Sequence, residues 1–128
     1  MQFELDDDQG LLRTSTRELL ENEAPLANTR AIMEETAEGF GKDLYAQLGA
    51  LGYLGVLLSE EEGGLGPIDF AIAMAEMGRV AFPGPFLDMA VAVRALADCD
   101  HDVARDWQAR VSSGSALAVL ALTEDMQN

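Results

Sequence analysis

The chain has 128 residues, 48% hydrophobic, 6% aromatic and 24% charged, a balance that suits one globular domain and argues against disorder. Its 23 acidic residues face only 8 basic ones, for a formal net charge of -15. The bases are scattered, so no cluster exists to neutralise phosphates; this argues against a nucleic-acid partner, and the acidity reads as solubility and repulsion from anionic membranes.

The amino terminus, "MQFELDDDQG", is acidic where a secretion signal would be basic and then apolar. No run is long enough to cross a bilayer. Cys99 is the single cysteine, so no internal disulfide can form, and a reducing cytoplasm is the expected compartment.

Asp6, followed three residues later by Gln9, predicts a capping box and a first helix. Leu5, Leu12, Thr16, Leu19 and Leu20 form its apolar stripe, and Pro25 closes it. A short helix is predicted over residues 26–35, followed by a break at "EGFG". "KDLYAQLGALG" then places Leu44, Leu48 and Leu51 at helical spacing, with Gly52 suited to end the helix in a left-handed turn. "YLGVLL" is too short for periodicity to choose between a buried turn and a strand.

The acidic, glycine-rich "SEEEGGLG" predicts a loop, and Pro67 suits the first position of the next helix. That helix carries Ile68, Ile72, Ala75 and Met77 or Arg79 in succession, with small residues at Ala71, Ala75 and Gly78. "AFPGPF" interrupts the pattern. Residues 86–97 then read as a helix apolar nearly all round, which predicts burial on every side by other helices or by material outside the chain. After the turn "DCDHD", Asp102 or Asp100 is expected to cap a sixth helix lined by Val103, Trp107 and Val111 and ended by Gly114. "ALAVLALT", residues 116–123, has the length and composition of a strand.

The expected fold is therefore all-α, an orthogonal bundle of about six helices, ending in one strand. A lone strand cannot satisfy its own backbone groups, so it is expected to start a β-domain whose other strands lie elsewhere.

Little in the chain carries chemistry by itself. His101, the only histidine, lies in an acidic turn without a nucleophile nearby and reads as a solvated surface residue. Cys99 reads as a small buried or half-buried side chain; a metal site would need more ligands. Glu60, Glu61 and Glu62 read as a solvated cluster matched to a helix dipole. "GGLG" lacks the spacing of a dinucleotide cradle and sits beside three repelling acids. No catalytic residue and no metal ligand set is assigned.

Taken together, "LDDDQGLLRTSTRELLENEAP", "LGALGYLGVLLSEEEGGLG", "AEMGRVAFPGPF" and "ALAVLALTED" resemble, in order and spacing, the amino-terminal helical domain of the acyl-CoA dehydrogenase family. The resemblance implies that residues 1–115 are that domain and residues 116–128 begin the middle β-domain. It implies an FAD-dependent oxidoreductase that desaturates the Cα–Cβ bond of an acyl-CoA thioester, with electrons passing to an electron-transfer flavoprotein and with homo- or hetero-oligomeric assembly. FAD is expected only in the complete enzyme, and the chain alone is expected to be inactive, because the family's catalytic glutamate matches no residue here.

On the same resemblance, Phe86, Leu87 and Ala90 fall on substrate-pocket positions, and Leu120, Leu122 and Thr123 on the flavin side. Two departures stand out. Asp125 occupies the place where the family usually has proline after a Thr-Glu pair, and the loop before the apolar helix has Ser59 and Glu62 where proline and an aromatic are common. "AFPGPF" is similar to the bacterial branch acting on bulky substrates such as steroid side chains, where related subunits pair unequally. The competing reading is a non-catalytic helical interaction module, or a non-catalytic subunit of a divided enzyme.

Overall fold

A computed structural model describes residues 4–37 and 39–121. Six helices account for most of them: α1 (Asp7–Glu23), α2 (Leu26–Glu35), α3 (Lys42–Ala50), α4 (Pro67–Arg79), α5 (Phe86–Ala97) and α6 (Asp102–Ser112). The fold is all-α.

α1 starts at the predicted capping box: the Asp6 carboxylate accepts from the Gln9 N–H at 2.8 Å, and Gln9 Oε1 accepts from the Asp6 N–H at 3.2 Å. Thr16 and Leu20 are the buried points of its stripe. α2 begins at Pro25 and fully buries only Thr29, leaving Leu26 and Met33 exposed. α3 buries Tyr45 and Leu48. Leu51, predicted to continue that stripe, is exposed instead, because the helix ends at Ala50 and Gly52 turns the chain at φ 83°.

"YLGVLL" is a turn rather than a strand. Tyr53–Gly55 is one 3-10 turn, and Leu54, Val56 and Leu58 alternate inward from it. A second such turn, Glu60–Glu62, is closed by Ser59 and Glu62 capping each other. Gly64 is needed next: an added Cβ would strike the backbone of Leu58.

α4 opens on Pro67 as predicted, but its buried face is Ile72, Ala73, Glu76 and Met77. Ile68 and Ala75, in one succession with Ile72 in the sequence, are exposed. A carboxylate takes an inward position because two arginines neutralise it there. Arg17 donates to Glu76 from Nε at 3.0 Å and Nη2 at 2.8 Å, and Arg79 from Nη1 at 2.9 Å. This pairing joins α1 to α4.

α5 is wrapped by the chain itself. Phe86, Met89, Ala90, Ala92 and Val93 are buried, with α6 and the Tyr53–Gly55 turn packed against the helix. Leu87 and Asp88 stay exposed. Val91, Ala95, Leu96 and Ala97 are half-buried.

α6 is capped by His101, whose Nδ1 accepts from the Val103 N–H at 3.1 Å, and not by Asp100 or Asp102. Those two carboxylates are engaged by Arg105, at 3.0 and 2.8 Å. Val111 and Ala104 form the buried face; Val103 is exposed, and Trp107 lies under Arg110, 4.3 Å from ring centroid to guanidinium.

Beyond α6 the chain turns at Gly114, φ 73°, and residues 117–121 run without regular structure. Ala116 and Ala118 pack on the core, while Leu117, Val119 and Leu120 are exposed. No strand occurs among the described residues; the remainder of the predicted strand lies outside them.

Candidate functional site

The connection from α4 to α5 is an irregular segment held by several contacts. Ala81 has φ 48° and Gly84 φ 99°, both in the left-handed region, which is costly for alanine. Three features hold it. Phe82 N–H donates to the Met77 carbonyl at 3.0 Å, closing the end of α4. Phe40 and Phe82 pack around Tyr45, with ring centroids 5.2 and 5.8 Å from it. The Tyr45 hydroxyl donates to the Pro83 carbonyl at 3.3 Å. Burial pushes the Tyr45 phenol well above its ordinary range, so it stays a neutral donor.

Beside this turn lies a cleft of about 220 Å³ lined by Met74, Met77, Gly78, Phe82, Phe86 and Leu87, among others. None of its lining residues is ionisable. The Phe86 ring is stacked on Phe70 at 5.8 Å. The space is smaller than the roughly 300–1,000 Å³ of a ligand pocket, so it forms part of a wall, and another surface must complete any enclosure. The exposed small residues of α4, Ala71, Ala75 and Gly78, lie along the same helix.

The structure brings two of the three predicted pocket residues to this cleft. Phe86 lines it and is 3% exposed; Leu87 also lines it and is 48% exposed. Ala90, one helical turn past Phe86, is fully enclosed by the chain. Of the predicted flavin-side residues, Leu120 is exposed on the segment after α6, and Leu122 and Thr123 lie outside the described residues.

The other candidates resolve into structural roles. All four amides of "GGLG" are spent internally: Gly63 on Glu60, Gly64 on Ser59, and both Leu65 and Gly66 on the Val56 carbonyl. No donor is left to cradle a phosphate. Glu62 caps Ser59 and faces Arg94 at 3.6 Å; the Ser59 contact holds its carboxyl below the ordinary value. Arg94 also pairs with Asp98. Cys99 is exposed, not buried or half-buried, because it falls just past the end of α5 with its thiol turned back on the Ala95 carbonyl at 3.3 Å. No group able to hold a metal ion occurs among the described residues.

Sequence reasoning missed two features. Glu76 is 4% exposed, yet Arg17 first and Arg79 second hold its carboxyl at about 2 against the opposing effect of burial. Its signal was an acid between the inward positions Ala73 and Met77 with an arginine three residues on. The Tyr45–Pro83 bond had no sequence signal, since the partners are 38 residues apart.

A larger depression, about 460 Å³, lies between α1, the Tyr53–Gly55 turn and the glycine loop, lined by Leu12, Leu19, Leu51, Tyr53 and Leu65 among others. It holds none of the predicted site residues. No helix among the described residues is long and apolar enough to cross a membrane.

Comparison with known proteins places this geometry in context. The family model described as acyl-CoA dehydrogenase, N-terminal domain, matches residues 6–115. No curated protein matches the chain. Among solved structures the chain is similar to the Tcur3481-Tcur3483 steroid ACAD, in a variant form, at 29% identity and TM-score 0.77, over 93% of this chain and 33% of that one. The chain thus spans about a third of the length of the structure it matches. A helical fold shared at this level, with the match running through all six helices, means that the chain belongs to the acyl-CoA dehydrogenase family, as its N-terminal domain.

Proposed function

We propose that this chain is the N-terminal part of an FAD-dependent acyl-CoA dehydrogenase, where it supplies an apolar wall to the acyl and flavin cavity. The observation that carries the proposal is the cleft beside the α4–α5 turn, which is apolar, incomplete, and built on the segment where the family resemblance put the pocket. Phe86 and Leu87 form its acyl-facing edge, and Ala90, small and enclosed, keeps the first turns of α5 slim behind them. Such a wall excludes water from the reacting carbon atoms.

The residues assigned to the cofactor are Leu120, Leu122 and Thr123. Leu120 fits that assignment, being exposed on an apolar segment with Leu117 and Val119. FAD, when bound, would supply the acceptor for the substrate's β-hydride. Residues 116–128 then begin the middle β-domain, and the base, the electron-transfer flavoprotein contact and the oligomer interface are contributed by other parts of the assembly. A cytoplasmic location accords with this role. The structural neighbour is a steroid enzyme named for two components, which favours a bulky acyl group and a paired subunit here.

The test is to purify the complete enzyme carrying this domain. Bound flavin and reduction of an artificial acceptor by an acyl-CoA are expected, and neither by the 128-residue chain alone. Absence of flavin and turnover from the complete protein would favour the non-catalytic interaction module.

A further inference from the structure

Tyr45 stands at the junction of both halves of the proposed site. Its side chain reaches from α3 to the α4–α5 turn, where the hydroxyl donates to Pro83 at 3.3 Å. Its ring packs edge-on to Phe40 and tilted on Phe82. Its own carbonyl abuts Gly114, where an added Cβ would strike it, at the start of the segment that leads to Leu120. The residue is 1% exposed and lies outside the wall it supports.

We propose that Tyr45 is a positioning residue: it fixes the acyl-facing turn at Phe86 and Leu87 and the flavin-facing segment after Gly114 in one register, and so sets which acyl groups the cavity accepts. The proposal rests on the cavity reading above. The physical argument is that the turn cannot hold itself. Ala81 sits in the left-handed region, and local strain of that kind persists only where surrounding contacts over-determine it. The phenol clamps the middle of that turn from α3, while Thr29 of α2 donates to the Val80 carbonyl at its start, at 3.4 Å. Gly84 closes the argument sterically, because a Cβ there would meet Phe40 Cβ at 2.7 Å and the Tyr45 hydroxyl at 2.8 Å, so the turn is built tightly onto this side chain.

Tyr45→Phe is the decisive variant, since it removes the hydroxyl and keeps the ring contacts. Losing one hydrogen bond to a buried carbonyl should raise local opening about fivefold to tenfold. In the complete enzyme, amide exchange over residues 82–87 should speed up by that factor, with exchange in α1 unchanged. KM for a bulky acyl-CoA should rise several-fold relative to a short linear one while kcat holds, the pattern of lost binding common to ground and transition states. Tyr45→Leu, lacking ring and hydroxyl, should widen both effects. Exchange that stays unchanged, or that rises uniformly through the domain, would overturn the proposal, and so would a local exchange change with unaltered acyl preference. A wild-type enzyme that turns over no acyl-CoA would refute the cavity reading instead, and the exchange result would still decide whether Tyr45 is a clamp.

Discussion

Replacing Glu76 by Gln should flatten the acid limb of the stability curve. The native carboxyl titrates at about 2, against an ordinary value of 4.5. A depressed native pKa means that the unfolded state binds the proton more readily. The stabilisation is therefore complete above the ordinary value, shrinks as pH falls below it, and is gone once pH passes about 2. Each pKa unit corresponds to about 1.4 kcal/mol; because Arg17 and Arg79 are themselves 44% and 46% exposed, screening reduces the contribution to about 1–2 kcal/mol. Urea unfolding of the wild type and Glu76→Gln at pH 7, 4 and 3 measures it. The difference between the two proteins should narrow by roughly 60% of that amount from pH 7 to pH 3, the rest being lost only as pH falls through about 2. A constant difference across the series would show that the α1–α4 pairing is not what depresses this carboxyl.

Four further outcomes are expected. Gly49→Ala should destabilise the domain by about 1–2 kcal/mol in urea unfolding, because its Cβ would strike the backbone of Ser113; overpacking of about 1–3 kcal/mol outweighs the helix-propensity gain of about 1. Met89→Ala, in the sealed face of α5, should cost about 2–5 kcal/mol by the same measurement. Leu87→Ser should leave stability within about 0.5 kcal/mol, since the side chain is at the rim, yet raise KM for acyl-CoA about tenfold in the complete enzyme through lost apolar contact. Ala90→Phe should lose about 1–3 kcal/mol from overcrowding and narrow the acyl groups accepted.

Local sequence signals reported the elements well where one residue decides the geometry. Asp6 with Gln9, Pro67, Gly52 and Gly114 each start or stop a helix where their chemistry requires it. Signals failed where a distant partner decides. Ile68 and Ala75 fall in one succession with Ile72, yet both are exposed, and the inward position goes to Glu76, which Arg17 of α1 neutralises. Asp100 and Asp102 looked like caps until Arg105 claimed them and left the role to His101. The apolar all-round pattern of α5 was legible; that its own chain would cover it was not, because this depends on α6 and the Tyr53–Gly55 turn closing from two sides. The site was legible only through resemblance. An apolar wall has no charged signature, and Tyr45, which shapes it, is separated from its partner by 38 residues.

The most direct test of the account is where an acyl chain touches this domain. A photoreactive acyl-CoA with a diazirine near the end of its acyl group, bound to the complete enzyme and irradiated, would mark the contact for mass spectrometry. Labelling concentrated on residues 82–87, with Leu87 foremost, is the predicted result. Labelling confined to the depression around Leu51 and Leu65, or none within this chain, would contradict it.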